Sequence, residues 1–259
     1  MGVSEEFYAK NDNLARKMAE DAIDSAAEML AISDPTLTIT KAAIDGSPNS
    51  VILDEAEKFG ADLIVVGSHG YGLVERFLLG SVSHAVALHA RCSVEIVRPR
   101  KLAENGWKIL LAIDGSEKSE AAVDSVALQS FPEESEVRVI TVVEPSYSPS
   151  AYPMEGVYTG VFAEIEKSEC DRSQRVIERI AAKLRTENTS NGIKISTKVL
   201  QGGAKITILE EADAFEPDLI VVGSHGHGTM ERLLLGSVAQ AIALHAKCSV
   251  KIVRSLNLN

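Results

Sequence analysis

Short apolar runs closed by glycine, serine or aspartate alternate along the chain with stretches whose apolar residues recur every three or four positions. Lys108 to Ile113 is such a run, ended by Asp114-Gly115-Ser116, and reads as a buried strand. Ser119 to Ser130 sets Ala122, Val123, Val126 and Ala127 at helical spacing, and Glu136 to Val143, rich in valine and isoleucine, reads as a strand. Glu144 to Gly160 carries three prolines with Tyr147, Tyr152 and Tyr158 and reads as a long surface loop. Phe162 to Arg185 is a long amphipathic helix, and Ile193 to Val199 alternates as a strand. Ala204 to Phe215 gathers Ile208, Leu209, Ala212 and Phe215 on one helical face, and Leu219 to Val222 is a buried strand. Gly236-Ser237 opens a helix with Val238, Ala241, Ile242 and His245 on one side, and Val250 to Val253 is the last strand. Strand and helix alternate throughout, which predicts an α/β fold around a parallel sheet.

The chain also repeats itself. Asp62-Leu-Ile-Val-Val-Gly67-Ser68-His69-Gly70 returns as Asp218-Leu-Ile-Val-Val-Gly223-Ser224-His225-Gly226, 156 positions later. From Ala61 to Arg98 against Pro217 to Arg254, 28 of 38 positions are identical. At lower similarity the same offset pairs Tyr8 to Ile32 with Glu164 to Asn188, and Thr36 to Ala42 with Gly192 to Lys198. Trp107 to Gly156 has no counterpart, so the first copy lacks the opening third of its domain. The expected organisation is an incomplete domain over 1–98, a polar linker over 99–107 and a complete domain over 108–254. Met1-Gly2-Val3 falls near the place of Met154 to Val157 in the second copy, which suggests an internal start within a longer two-domain protein.

Composition narrows the function classes. Apolar residues make up 45% and charged residues 24%, an ordinary globular profile. The net charge is −11, with 8 basic against 15 acidic residues up to Arg98 and 18 against 22 beyond, so neither half suits nucleic acid or an anionic membrane. Three cysteines without paired spacing fit a reducing compartment. With no apolar run near the roughly 20 residues of a bilayer span, a soluble cytoplasmic protein is expected.

The candidate chemistry lies in the glycines. Each copy carries Gly-x2-Gly-x9-Gly-Ser: Gly67, Gly70, Gly80, Ser81, and Gly223, Gly226, Gly236, Ser237. The first pair follows the carboxyl end of a buried strand, where open α/β sheets bind ligands, and the Gly-Ser pair opens a helix whose free amides suit an anion. Neither a P-loop, which needs a lysine after its glycines, nor the Gly-x-Gly-x-x-Gly dinucleotide fingerprint is present. Tight turns and close helix packing would explain the same glycines without a ligand.

These residues resemble the universal stress proteins in their tandem form, over nearly the whole chain. The glycine spacing, preceded by Asp-Leu-Ile-Val-Val and followed by Val, looks like the signature of the ATP-binding members. The resemblance implies a five-stranded parallel sheet in order 3-2-1-4-5 with helices on both faces. It implies that Asp114 faces adenine and ribose, that Ala112 lines the adenine pocket and that the Val142 backbone reads the adenine edge. Val222 and Gly223 would lie beneath the ribose and first phosphate, and Gly226, Gly236, Ser237 and Val238 would hold the phosphates, with Mg²⁺ or Mn²⁺ accompanying ATP. Asp114 has a second reading as a helix cap, since Asp-Gly-Ser is good capping chemistry.

The first copy keeps Gly67, Gly70, Gly80 and Ser81 but lacks the strands carrying the equivalents of Asp114 and Val142. It is expected to bind ATP poorly or not at all, with its sheet rearranged or completed by another chain. The last strands, Val94 to Val97 and Val250 to Val253, are edges that the family pairs across a two-fold axis. Here they could pair as a pseudo-dimer within one chain, or two chains could associate. His69 and His225 read as loop-structuring, His89-x2-Cys92 and His245-x2-Cys248 as buried positions rather than metal ligands, and Glu75-Arg76 and Glu231-Arg232 as loop braces. No catalytic or metal residue is assigned. The expected function is ATP-dependent regulation in stress adaptation, with a nucleotide-free dimerisation module or a slow ATPase, including autophosphorylation, as the alternatives.

Overall fold

The computed structural model describes residues 3–69, 79–99, 106–145, 158–187, 192–226 and 235–255, excepting the side chains of 3–12, 117–118 and 158–162. The chain divides into two compact units, Met1–Val51 and Ile52–Asn259.

The smaller unit is built on α1 (Val3–Ser33). Pro35 ends the helix region, and Asp34 Oδ1 accepts from the backbone N and the hydroxyl of Thr36 at 2.9 and 2.7 Å. Lys41 pairs with Asp24 at 2.6 Å and Arg16 with Asp45 at 3.7 Å. Residues 36–43 form no strand, in keeping with a segment whose neighbouring strand is not encoded.

Both repeats share the sheet of the larger unit. After α2 (Pro48–Phe59) come β1 (Leu63–Gly67), α3 (Ser81–His89) and β2 (Ser93–Val97) of the first repeat. The second repeat contributes β3 (Lys108–Ala112), α4 (Glu117–Ala127), β4 (Glu136–Val143), α5 (Tyr158–Glu187), β5 (Lys194–Gln201), α6 (Ala204–Phe215), β6 (Leu219–Gly223), α7 (Ser237–His245) and β7 (Ser249–Val253). The strands form one seven-stranded sheet in the order β1-β2-β7-β6-β3-β4-β5. Every pair is parallel except β2 with β7. Within the second repeat the order is 3-2-1-4-5, and in the first repeat strand 1, helix 1 and strand 2 are missing.

Alternation along the strands makes two cores. Leu110, Ala112, Ile140, Ile220, Val222, Val250 and Ile252 pack with α3, α6 and α7 on one face. Ile109, Leu111, Val137, Val139, Leu219, Val221 and Val253 pack with α4 and α5 on the other. Burial on both sides explains why these strands are continuous apolar runs rather than alternating ones. At the entrance to β3, Gly106 has φ +46° and an added Cβ would lie 2.4 Å from the Glu134 carbonyl carbon, so only glycine fits that turn.

The two repeats meet across a local two-fold. Val94, Glu95 and Ile96 pair antiparallel with Ile252, Lys251 and Val250. Arg98 crosses to the second repeat, donating its backbone N–H to Ser249 Oγ at 3.1 Å and its guanidinium to the carbonyls of Cys248 and Ala243. Arg254 does the reverse, donating to Ser93 Oγ and to the carbonyls of Cys92 and Ala87. Each arginine thus satisfies main-chain oxygens at or just beyond the C-terminal turn of the other repeat's helix, where positive charge is favoured. The edges of β2 and β7 are thereby closed within one chain, while β1 keeps an open edge.

Candidate ligand-binding site

The carboxyl ends of β3, β4 and β6 open into a cavity of about 500 Å³. Ala112, Asp114, Val142, Val222, Gly223, Gly226, Gly236, Ser237 and Val238 all line it. Such a volume lies within the ordinary range for small-molecule sites.

The cavity changes in chemistry from one end to the other. Ala112, Ile140, Val142 and Ile208 give it apolar walls, and the loop from Gly223 to Gly226 with the start of α7 gives it polar ones. Gly236 precedes α7 with an extended backbone and no side chain capping the helix, so the amides of its first turn receive no bond from the residue that normally supplies one. The neighbouring α6 differs, because the Glu144 carboxylate accepts from the Ala204 N–H at 3.1 Å. Of these two helix starts, that of α6 already has an anion and that of α7 suits one.

Two glycines bring backbone close. A Cβ at Gly226 would lie 2.6 Å from Asp114 Oδ2. One at Gly236 would lie 2.9 Å from the Ser224 carbonyl oxygen and 3.2 Å from His225 Cα. The Gly236 N–H donates to that same carbonyl at 2.8 Å, fixing the loop against the helix start. Asp114 is held by its other oxygen, Oδ1, which accepts from the backbone N and hydroxyl of Ser116 at 3.0 and 2.6 Å. The cap of α4 is Ser116 itself, whose side chain accepts from the Ser119 N–H. The capping role considered for Asp114 therefore belongs to Ser116, and the Asp114 carboxylate is braced beside the cavity.

Further residues of the lining escape a reading by glycine spacing. Ser119, Thr141, Ser224 and Glu144 add polar groups, and of these only Ser224 had a visible signal, the repeated Ser-His after each first glycine. His225 Nδ1 lies 3.0 Å from Ser224 Oγ, and His69 has the same relation to Ser68, so both rings are tied to the loop. Cys92 is buried and Cys248 half-buried, and burial pushes both thiols up, that of Cys248 to about 11. Among the described residues no cluster of three or more histidine, cysteine or carboxylate groups could hold a metal ion. His227, Glu75-Arg76, Glu231-Arg232 and the loop residues 146–157 lie outside the described residues, as does Gly70.

The first repeat reproduces half of the arrangement. Gly80 precedes α3 as Gly236 precedes α7, its N–H donates to Ser68 O at 2.8 Å, and no side chain caps the helix. The wall that Ala112, Asp114 and Val142 form in the second repeat has no counterpart.

The model of the universal stress protein family matches residues 3–98 and again 107–254. The chain belongs to this family. A universal stress protein of Mycolicibacterium smegmatis is 31% identical over 208 residues, which cover 75% of this chain and 62% of that one. One of Mycobacterium tuberculosis is 28% identical over 245 residues, covering 92% of this chain and 76% of the relative. A universal stress protein structure from Archaeoglobus fulgidus superposes with a TM-score of 0.61 at 20% identity, over 94% of this chain and 80% of that one, a likeness of fold. Among the described residues no helix is long and apolar enough to cross a membrane.

Proposed function

We propose that the second repeat binds ATP with Mg²⁺ or Mn²⁺ and that the chain is a nucleotide-dependent regulator in stress adaptation. The observation that carries this reading is the convergence on one cavity of the uncapped α7 start, the glycines that admit backbone contact and the braced Asp114 carboxylate. Adenine matches the apolar walls at Ala112 and Val142, the ribose lies beside Asp114 and above Val222 and Gly223, and the phosphates meet Gly226, Gly236, Ser237 and Val238. The described lining contains neither lysine nor arginine, so phosphate charge is met by main-chain amides and hydroxyls. With Asp114 and Glu144 as the only described carboxylates there, a divalent ion would be held chiefly by the phosphates and water, which suits magnesium.

The same inventory favours holding ATP over turning it over. Efficient phosphoryl transfer needs positive charge at the transferred group and a residue that orients the nucleophile. His225 is tied to Ser224, and no described lining residue supplies the cation. Hydrolysis or autophosphorylation, if present, is slow.

The test is calorimetric titration of ATP with Mg²⁺ into nucleotide-free protein. Saturable binding is expected, weakened about 3- to 10-fold by Ser237→Ala for one lost hydroxyl contact. Asp114→Ala should weaken it by roughly tenfold or more. Absence of binding would favour a nucleotide-free dimerisation module in which the glycines only shape the loop, and affinity unchanged from the parent in both variants would refute the roles given to Ser237 and Asp114.

A further inference from the structure

Along β4 the main chain turns its N–H and C=O groups alternately toward β3 and β5, as in any strand with a parallel neighbour on each side. Ile140 faces β3, since its carbonyl accepts from the Ile113 N–H at 3.0 Å. Val143 faces the other way and accepts from the Gly202 N–H at 3.1 Å. Val142 therefore points as Ile140 does, but β3 ends at Ala112 and no strand lies beside it. Its N–H and C=O face the cavity as a donor and an acceptor side by side.

Glu144 is two residues further on and also lines the cavity. Its carboxylate is held in place, because Oε1 accepts from the N–H of Ala204, the first residue of α6, at 3.1 Å. Oε2 accepts no hydrogen bond from any described residue. Ile140, Val142, Ala204 and Ile208 make the surrounding wall apolar, and no described lysine or arginine in the lining neutralises the charge. The end of the cavity that suits a flat ring thus presents, in order along β4, a donor, an acceptor and a fixed carboxylate oxygen.

We propose that Glu144 is a specificity-determining residue that selects a 6-aminopurine by accepting the second N–H of its exocyclic amine, a role that rests on the function proposed for the second repeat and extends it to the choice of base. Adenine offers N1 to the Val142 N–H and one amino hydrogen to the Val142 carbonyl, which leaves the other hydrogen for Glu144 Oε2. A 6-oxopurine reverses the set. Its N1–H meets an N–H, and its O6 meets a carbonyl and a carboxylate. Rejection is then stronger than the loss of bonds alone, because buried polar groups are left opposed. The same charge repels a triphosphate from this end of the cavity and directs it to the α7 start, where the amides are free of a side-chain cap.

The experiment titrates ATP and its 6-oxo analogue ITP, each with Mg²⁺, into the nucleotide-free full chain and into Glu144→Gln. The glutamine keeps an oxygen for the Ala204 N–H and turns its amide NH₂ toward the base, where it opposes an amino group and donates to an oxo group. The parent should prefer ATP by about 100-fold or more, and the variant should show that preference reduced by about tenfold or more. A purely structural disturbance of α6 weakens ATP and ITP alike and leaves the ratio where it was. An unchanged ratio in a variant that still binds ATP overturns the role of Glu144 and leaves the nucleotide site standing, whereas a parent that binds neither triphosphate overturns both. The parent also gives a reading that needs no variant: purine riboside triphosphate, which keeps N1 and lacks the amine, should bind about tenfold or more weaker than ATP. Equal binding of the two overturns the proposal.

Discussion

The same glycine-to-alanine change should have opposite consequences at two positions of the cavity. Neither Gly226 nor Gly236 has a positive φ, so backbone strain does not decide the outcome and the neighbours of the new methyl do. At Gly226 the methyl would meet Asp114 Oδ2 at 2.6 Å, the far end of an exposed side chain that can rotate away. Rotation sacrifices some of the hold of Ser116 on Oδ1, which water replaces, at a cost of about 1 kcal/mol or less. The carboxylate is then misplaced for a ligand. Losing a bond to a charged group is worth about 1.5–3 kcal/mol, or roughly 10- to 100-fold in ATP affinity. At Gly236 the methyl would meet main-chain atoms, Ser224 O at 2.9 Å and His225 Cα at 3.2 Å, which cannot step aside without moving the loop. The expected cost is about 1–3 kcal/mol of stability, comparable to overpacking a core. Urea unfolding and calorimetric titration of the two alanine variants measure both quantities. The reasoning is refuted if Gly226→Ala binds ATP as tightly as the parent, or if Gly236→Ala is as stable as the parent.

Other consequences can be checked on the same protein. Arg98→Met and Arg254→Met each leave main-chain carbonyls of the opposite repeat unsatisfied and should each lower unfolding free energy by about 2–4 kcal/mol; a loss under about 0.5 kcal/mol would contradict the reciprocal bracing. Burial pushes the Glu211 carboxyl up, but bonds from Lys198 and Arg138 outweigh it and hold it below the ordinary glutamate value. A depressed carboxylate stabilises the fold above its unfolded value of 4.5, and that stability is lost as pH falls through the folded value. Glu211→Gln should therefore cost about 1–3 kcal/mol at pH 7 and progressively less in acid, as read by urea unfolding across pH. Iodoacetamide at pH 8 should modify the half-buried Cys170 first, since at a thiol value of about 11 Cys248 is thiolate to only about one part in a thousand. Equal labelling of the three cysteines would contradict this.

Much of the fold was legible because strands buried on both faces leave continuous apolar runs. Ala204–Phe215 and Glu136–Val143 have the bounds their periodicity suggests. The α4 helix begins earlier than Ser119 because Ser116 caps it, a choice among neighbouring polar residues that spacing does not make. The repeat offset is less uniform than it looked. At 156, the α5 core residues Ile177, Ile180 and Leu184 fall on Asp21, Asp24 and Glu28, whereas at 154 they fall on Ile23, Ala26 and Leu30.

Single residues acting over long separations were not legible. Arg98 stood out only as the last matched position of the first repeat, yet it is buried against carbonyls about 150 positions away. Glu211 sits in a run of acids on a helix and gave no sign of burial, because its partners come from β4 and β5. Phe59 and Phe215 are the same residue in the same motif with opposite exposure, since burial is decided by what packs from elsewhere. The glycines of the cavity were legible because close backbone approach admits no other residue.

The most direct test of the account is the nucleotide content of the chain. Purified protein is emptied, titrated with ATP and Mg²⁺ to saturation, and the bound nucleotide is counted per chain. The account predicts one, lost in a chain carrying Gly226→Val and kept in one carrying the matching change at Gly70. Two per chain would mean that the first repeat binds without the wall that Ala112, Asp114 and Val142 provide, and none would mean that the cavity of the second repeat is not a nucleotide site.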